Sequence, residues 1–107
     1  MEITQYQIIL VNLDPTIGSE IQKTRPCVVI SPNEMNKYLN TVVIAPMTTS
    51  SKNYPTRIEI KHDNKIGWIV LDQIRTINKQ RIIRELGRLN KPEISGLKSV
   101  LKETYID

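Results

Sequence analysis

The sequence has one cysteine, one histidine and no long apolar run, and each scarcity removes a class of protein. The single cysteine, Cys27, cannot close an intramolecular disulfide and cannot supply a zinc site alone. The longest apolar runs, residues 8–11 and 42–45, are far too short to span a bilayer. The opening Met1-Glu2-Ile3-Thr4 carries neither a basic stretch nor an apolar export segment, so a cytoplasmic protein without membrane contact is expected. No repeat, low-complexity stretch or linker interrupts the chain, and residues 1–107 read as a single domain.

What is present is ordinary globular composition. Apolar residues make up 39% and charged residues 24%, which is enough to fold a modest core rather than stay disordered. The net charge of +4 and a pI near 9.3 suit a polyanionic partner, whether RNA, DNA or an acidic protein, without demanding one. Short strand-like runs separated by turn residues dominate. Residues 6–13 form the first, apolar on both faces at its centre, and Asp14-Pro15-Thr16-Ile17-Gly18-Ser19 stops it. Residues 27–31 form the second. Ser31-Pro32-Asn33-Glu34 then has the form of a helix start, with Ser31 as cap and Glu34 reaching back, opening a short helix over 32–39. Residues 41–47 are β-branched and strand-like. A polar loop, 48–56, leads to the strict alternation of 57–61, the mark of a strand with one wet face. A turn around 62–67 precedes a strand at 68–71. Residues 78–89 fit a helix face through Ile82, Leu86 and Leu89, or a turn followed by a strand, since Gly87 weakens the helix. At the end, Asn90 caps a helix with Pro92 in its first turn, and Ile94, Leu97, Leu101 and Tyr105 recur at helical spacing beside Val100. The expectation is a mainly β (α+β) domain: a small, partly open or closed barrel of short strands with a C-terminal helix laid against it.

Three segments at strand ends resemble the MazF/PemK family. The first runs Asp14-Pro15-Thr16-Ile17-Gly18-Ser19-Glu20 and on to Lys23-Thr24-Arg25-Pro26 before an apolar strand. The second is Pro46-Met47-Thr48-Thr49, and the third is Leu71-Asp72-Gln73-Ile74-Arg75. No one of them is specific, but they stand in family order and spacing over nearly the whole chain. The resemblance implies an SH3-like barrel of the CcdB/PemK type and a homodimer. It also implies cofactor-free, metal-independent cleavage of single-stranded RNA to 2′,3′-cyclic phosphate and 5′-hydroxyl ends, by a toxin that blocks translation. A partner antitoxin with a disordered tail is implied too. By the same resemblance the catalytic arginine falls on Arg25, the catalytic threonine on Thr48, and a loop glutamate used by some members on Glu20. Some relatives use an arginine two positions before the motif aspartate; here that position is Val70, so their version of the site does not carry over to Asp72.

The chemistry fits these residue types. Cleavage through the RNA's own 2′-hydroxyl needs a proton acceptor, a proton donor and groups that stabilise a crowded phosphorane. Arg25, read as sitting just before a strand, offers forked donors matched to phosphate oxygens. Thr48 can donate to another. The expected RNA contacts are Lys23, Thr49, Lys52, Tyr54, Arg57 and Gln73, with the cations neutralising phosphates and Tyr54 stacking on a base. Plainer readings stand beside these. From position alone Arg25 reads as a surface arginine, Thr48 and Thr49 as residues ending a strand with local backbone bonds, and Glu20 as a solvated loop charge. Asp72 with Arg75 reads as a structural ion pair. His62, alone, cannot run a two-histidine mechanism and sits in an exposed turn; Cys27 reads as a buried small apolar residue and Trp68 as half-buried. The competing functions are a toxin of the same fold that poisons a protein target, as the CcdB gyrase poisons do, and a non-catalytic nucleic-acid-binding barrel.

Overall fold

The computed structural model describes residues 1–51, 53–62 and 64–106; Lys52, Asp63 and the side chain of His62, which figured in the readings above, lie outside the described residues. The described residues form seven strands and two α-helices in the order β1 (Gln7–Asn12), β2 (Thr24–Val29), α1 (Asn33–Tyr38), β3 (Thr41–Thr48), β4 (Arg57–His62), β5 (Lys65–Val70), β6 (Arg75–Asn78), β7 (Ile82–Arg88) and α2 (Lys91–Leu101). The pairing is antiparallel throughout, in the order β4-β5-β3-β2-β1-β7, with β6 joined to β3. This is the expected barrel in an unclosed form, with β4 and β7 as its free ends. Among the described residues no helix is long and apolar enough to cross a membrane.

The strand centres are apolar on both faces because the sheet has a core on each side. Side chains alternate along a strand, and so Ile9, Val11, Cys27, Val29 and Ile44 enter one cluster while Ile8, Val28, Ala45 and Met47 enter the other. The helix α2 covers the second cluster. It starts with the expected Asn90 cap, which Glu93 makes reciprocal: Glu93 N donates to Asn90 Oδ1 at 2.9 Å and Asn90 N donates to Glu93 Oε1 at 2.8 Å. Leu97 is its one fully buried residue, flanked by Ile94, Val100 and Leu101. Tyr105 keeps a largely exposed ring and donates its hydroxyl to the Leu71 carbonyl.

Strand β3 is the spine. Its first half pairs with β6 (Thr41↔Asn78 to Ile44↔Arg75) and its end pairs with β5 (Met47↔Ile69, Thr48↔Trp68) on the same edge. Strands β5 and β6 thus act as one strand broken by the 3₁₀ turn Leu71–Gln73. That break throws Asp72 and Gln73 out of the sheet. On the far side β7 carries two register shifts against β1, on either side of the Leu10↔Arg84 pair. Gly87, paired with Ile8 at the first of these shifts, takes a φ of 152°, which L side chains rarely adopt.

Three readings are corrected and one open choice is settled. Ser31 does not cap α1: Pro32 occupies the cap position without a side-chain bond, and the Ser31 hydroxyl instead donates to Asn36 Oδ1 (2.5 Å) and accepts from Val43 N (3.0 Å), tying the helix to β3. Strand β2 starts three residues early, at Thr24, so Arg25 lies inside a strand, opposite Val11, rather than before one. Pro26 is tolerated there because β2 has only β1 beside it until pairing with β3 begins at Cys27. Strand β5 starts at Lys65, since the hairpin register runs tightly to His62↔Lys65. The open choice at 78–89 resolves to a short 3₁₀ turn, Lys79–Arg81, followed by β7.

Candidate functional site

Five neighbouring strands, β7-β1-β2-β3-β5, curl around one trough of about 360 Å³. That volume lies in the range of small-ligand sites. Leu10, Pro26, Met47 and Leu86 supply apolar lining; Arg25, Thr48, Thr49, Lys65 and Arg84 supply the polar groups. Among the described residues, none that lines the trough is acidic. Arg25 and Thr48, which are 23 positions apart in the chain, meet here because β2 and the end of β3 are neighbours in the sheet.

The Arg25 side chain is half-buried, and its Nε donates to the Gln22 carbonyl at 3.2 Å. Among the described residues this is the only hydrogen bond its guanidinium makes, so the terminal nitrogens keep donors to offer. The Thr48 hydroxyl bonds locally: it donates to the Ser50 carbonyl and accepts from Ser50 N, both at 3.2 Å. The strand-ending reading of Thr48 is therefore present together with its place in the trough.

Glu20 is not in the trough. It lines a second cleft, of about 240 Å³, with Ile21, Pro46, Asp72, Gln73, Ile74 and Arg75. Pro46 belongs to this cleft and Met47 to the trough, so the end of β3 separates the two. One Glu20 oxygen already accepts from Ile17 N at 2.6 Å. Gln73 holds the same loop: its Oε1 accepts from Ile21 N at 2.7 Å and its Nε2 donates to the Ser19 carbonyl at 3.5 Å. The base of the loop is closed by Lys23, whose N–H donates to Asp14 Oδ1 (2.9 Å) and whose carbonyl accepts from Leu13 N (2.9 Å). Lys23 takes a φ of 69° to do so, and its side chain is exposed.

Asp72 does not pair with Arg75. The turn Leu71–Gln73 directs it to the start of β4, where Leu71 N also donates to the Thr56 carbonyl at 3.0 Å. Its carboxylate takes Arg57 Nε at 3.1 Å, Arg57 Nη2 at 3.2 Å and Thr56 Oγ1 at 2.9 Å. Hydrogen bonding from Arg57 holds the Asp72 carboxyl below its ordinary range, and Asp72 in turn raises Arg57. Arg57 also donates to Ser51 Oγ at 2.9 Å and sits 4.8 Å from the centre of the Tyr54 ring. Its guanidinium is therefore engaged within the chain, and Tyr54 is presented on it. Cys27 is fully buried, and burial pushes its thiol up to about 12.

Lys65 and Arg84 are the trough residues that the sequence did not single out. Arg84 fell in the ambiguous segment and Lys65 in an expected turn, and neither belongs to a motif. Only the curl of the sheet brings them to Arg25.

Comparison with known proteins agrees on the fold. Residues 4–105 match the family described as PemK-like, MazF-like toxin of type II toxin-antitoxin system. Over 105 residues the chain is 32% identical to endoribonuclease MazF of Staphylococcus epidermidis, covering 92% of this chain and 88% of that one. Among solved structures, MazF from Deinococcus radiodurans superposes with a TM-score of 0.85 at 20% identity, covering 96% of both chains. An endoribonuclease from Mycobacterial species, solved in complex with its cognate antitoxin, gives 0.80 at 20% identity, covering 94% of this chain and 92% of that one.

Proposed function

The chain belongs to the PemK-like, MazF-like toxin family of type II toxin–antitoxin systems, and from that premise we propose that it is an endoribonuclease. In this reading it cuts single-stranded RNA in the cytoplasm, at short sequences and without a metal. The RNA's own 2′-hydroxyl attacks the adjacent phosphorus, the 5′-oxygen leaves, and the products carry a 2′,3′-cyclic phosphate and a free 5′-hydroxyl. Loss of mRNA then stops translation. The active species is a homodimer, and an antitoxin with a disordered tail silences it by occupying the same groove.

The observation that carries this reading is the meeting of Arg25 and Thr48 in a cationic trough with no carboxylate among its described lining residues. A phosphorane gathers negative charge on its equatorial oxygens, and fixed donors in a partly desolvated site stabilise it most. Arg25 serves as the main donor, its Nε held by Gln22 so that the fork is oriented before RNA arrives. Thr48 adds a second donor by exchanging the Ser50 carbonyl for a phosphate oxygen. Thr49 follows it along the backbone. Arginine does not give up its proton at accessible pH, so Arg25 is not the base in this scheme. Glu20 is the weaker member: to reach a 2′-hydroxyl in the trough, its loop has to move past the end of β3.

In the same reading Lys23 and Lys52 act as phosphate contacts, and Tyr54 stacks a base on the ring face away from Arg57. Arg57 and Gln73 act at one remove, by holding the loops that the RNA touches.

The test is incubation of the purified protein, and of Arg25→Ala, with a long RNA of diverse sequence in EDTA. Discrete cuts ending in cyclic phosphate are expected, slowed by roughly 10²- to 10³-fold in the variant, the usual cost of one lost transition-state donor. If both folded proteins leave the RNA intact, the ribonuclease reading is wrong and poisoning of a protein target takes its place.

A further inference from the structure

We propose that Lys65 and Arg84, facing each other across the trough, bind the phosphates on either side of the one held by Arg25. This rests on the ribonuclease reading and adds to it where the strand runs.

The arginines of the chain sort into two groups. Arg57 is engaged with Asp72 and Ser51, Arg75 with the Leu13 carbonyl, Arg81 with the Asn12 and Asp14 carbonyls, and Arg88 with Thr4 and Gln5. The Arg84 side chain makes no hydrogen bond or ion pair among the described residues, and the Arg25 side chain makes only the bond through Nε. These two are the arginines of the trough. Lys65 likewise makes none among the described residues. The fold has thus used four guanidiniums as internal braces and left two, with one ammonium, lining a common space in which no described carboxylate neutralises them.

Their placement is ordered. Arg25 lies on β2, the middle of the five strands, while Arg84 on β7 and Lys65 on β5 each lie two strands away on opposite sides. Two strand spacings are roughly 10 Å, a distance that the long side chains shorten. Arg84 pairs with Leu10 between the two bulges of β7, and bulges re-aim side chains next to sites. A single strand of RNA therefore crosses the sheet from β7 to β5, its scissile phosphate at Arg25 and its apolar faces over Leu10 and Pro26.

The experiment uses a fluorescein-labelled RNA of mixed sequence with 2′-O-methyl groups, which binds but cannot be cut through its 2′-oxygens. Each phosphate contact to a single strand contributes about −0.7 to the slope of log K against log salt. Relative to the unaltered protein, Lys65→Gln and Arg84→Gln each should flatten that slope by about 0.7, and the double variant by about 1.4. Arg84→Lys should keep the slope. The control Lys37→Gln/Lys98→Gln removes the same charge from α1 and α2, outside the trough, and should leave the slope unchanged. If the double variant flattens it no more than the control does, the proposal is overturned. Cutting of ordinary RNA by the unaltered protein then separates the cases: with cutting, only the proposal falls; with neither binding nor cutting, the ribonuclease reading falls with it.

Discussion

Replacing Asp72 with asparagine isolates the brace that ties the third motif to the rim of the loop at 48–56. The carboxylate receives two bonds from Arg57 and one from Thr56, and the paired side chains are 18% and 35% exposed. Exposed pairs contribute about 0.2–1 kcal/mol, and a bidentate pair with a third donor stands at the upper end. Asp72→Asn should therefore cost about 1 kcal/mol at neutral pH, near 4 °C in Tm for a domain of this size. The sign of the pH dependence follows from the depressed carboxyl. Its contribution is fully present above the ordinary value of 3.8 and is lost as pH falls through the lower, folded value. The gap between the two proteins should stay constant from about pH 7 to pH 5 and close in stronger acid. Urea titrations at about pH 7, 5 and 2, with equal m-values, measure it. A gap under about 0.3 kcal/mol at pH 7, or one that persists undiminished at about pH 2, would refute the assignment of Asp72 as the acceptor of Arg57.

Two further outcomes test the packing. Leu97 is fully buried and is the main anchor of α2 on the second core cluster. Leu97→Ala should lose about 3 kcal/mol in urea unfolding, and a loss below about 1 kcal/mol would mean that α2 is not seated as described. Cys27, buried with its thiol pushed up to about 12, should resist a thiol reagent at mildly alkaline pH while the protein is folded and react fully in denaturant. Rapid reaction of the native protein would contradict its burial.

Much of the fold was legible because it depends on local pattern. The reciprocal cap of α2 lies within four residues, Asn90 to Glu93, and the alternation of β4 follows from one wet face. Two of the misjudged boundaries share a cause of a different kind. The helix start at Ser31-Pro32-Asn33-Glu34 looked like a capping box, but the Ser31 hydroxyl is oriented by Val43 N and the Asn36 side chain instead of by the first turn of the helix. Strand β2 began early because β1 offered ladder partners back to Thr24, which composition around Pro26 argues against. In each case a partner distant in sequence outweighed a local preference.

The trough divides along the same line. Arg25, Thr48 and Thr49, which share it, were singled out through a family resemblance carried by motifs in a fixed sequence order. The partners of Asp72 and Gln73 were not found because they follow from the break between β5 and β6, which turns those two side chains toward β4 and the loop at 14–24. Lys65 and Arg84 lay further from view. Nothing in the residues around either one distinguishes it from Lys61 or Arg88. They become part of the trough through two bulges on β7 and a sheet curled so that strands two steps either side of β2 face one space. What separates a bracing arginine from an available one is whether a backbone carbonyl or carboxylate lies within reach after folding. Arg81 finds the Asn12 and Asp14 carbonyls, while Arg84, three residues on, finds only the open trough.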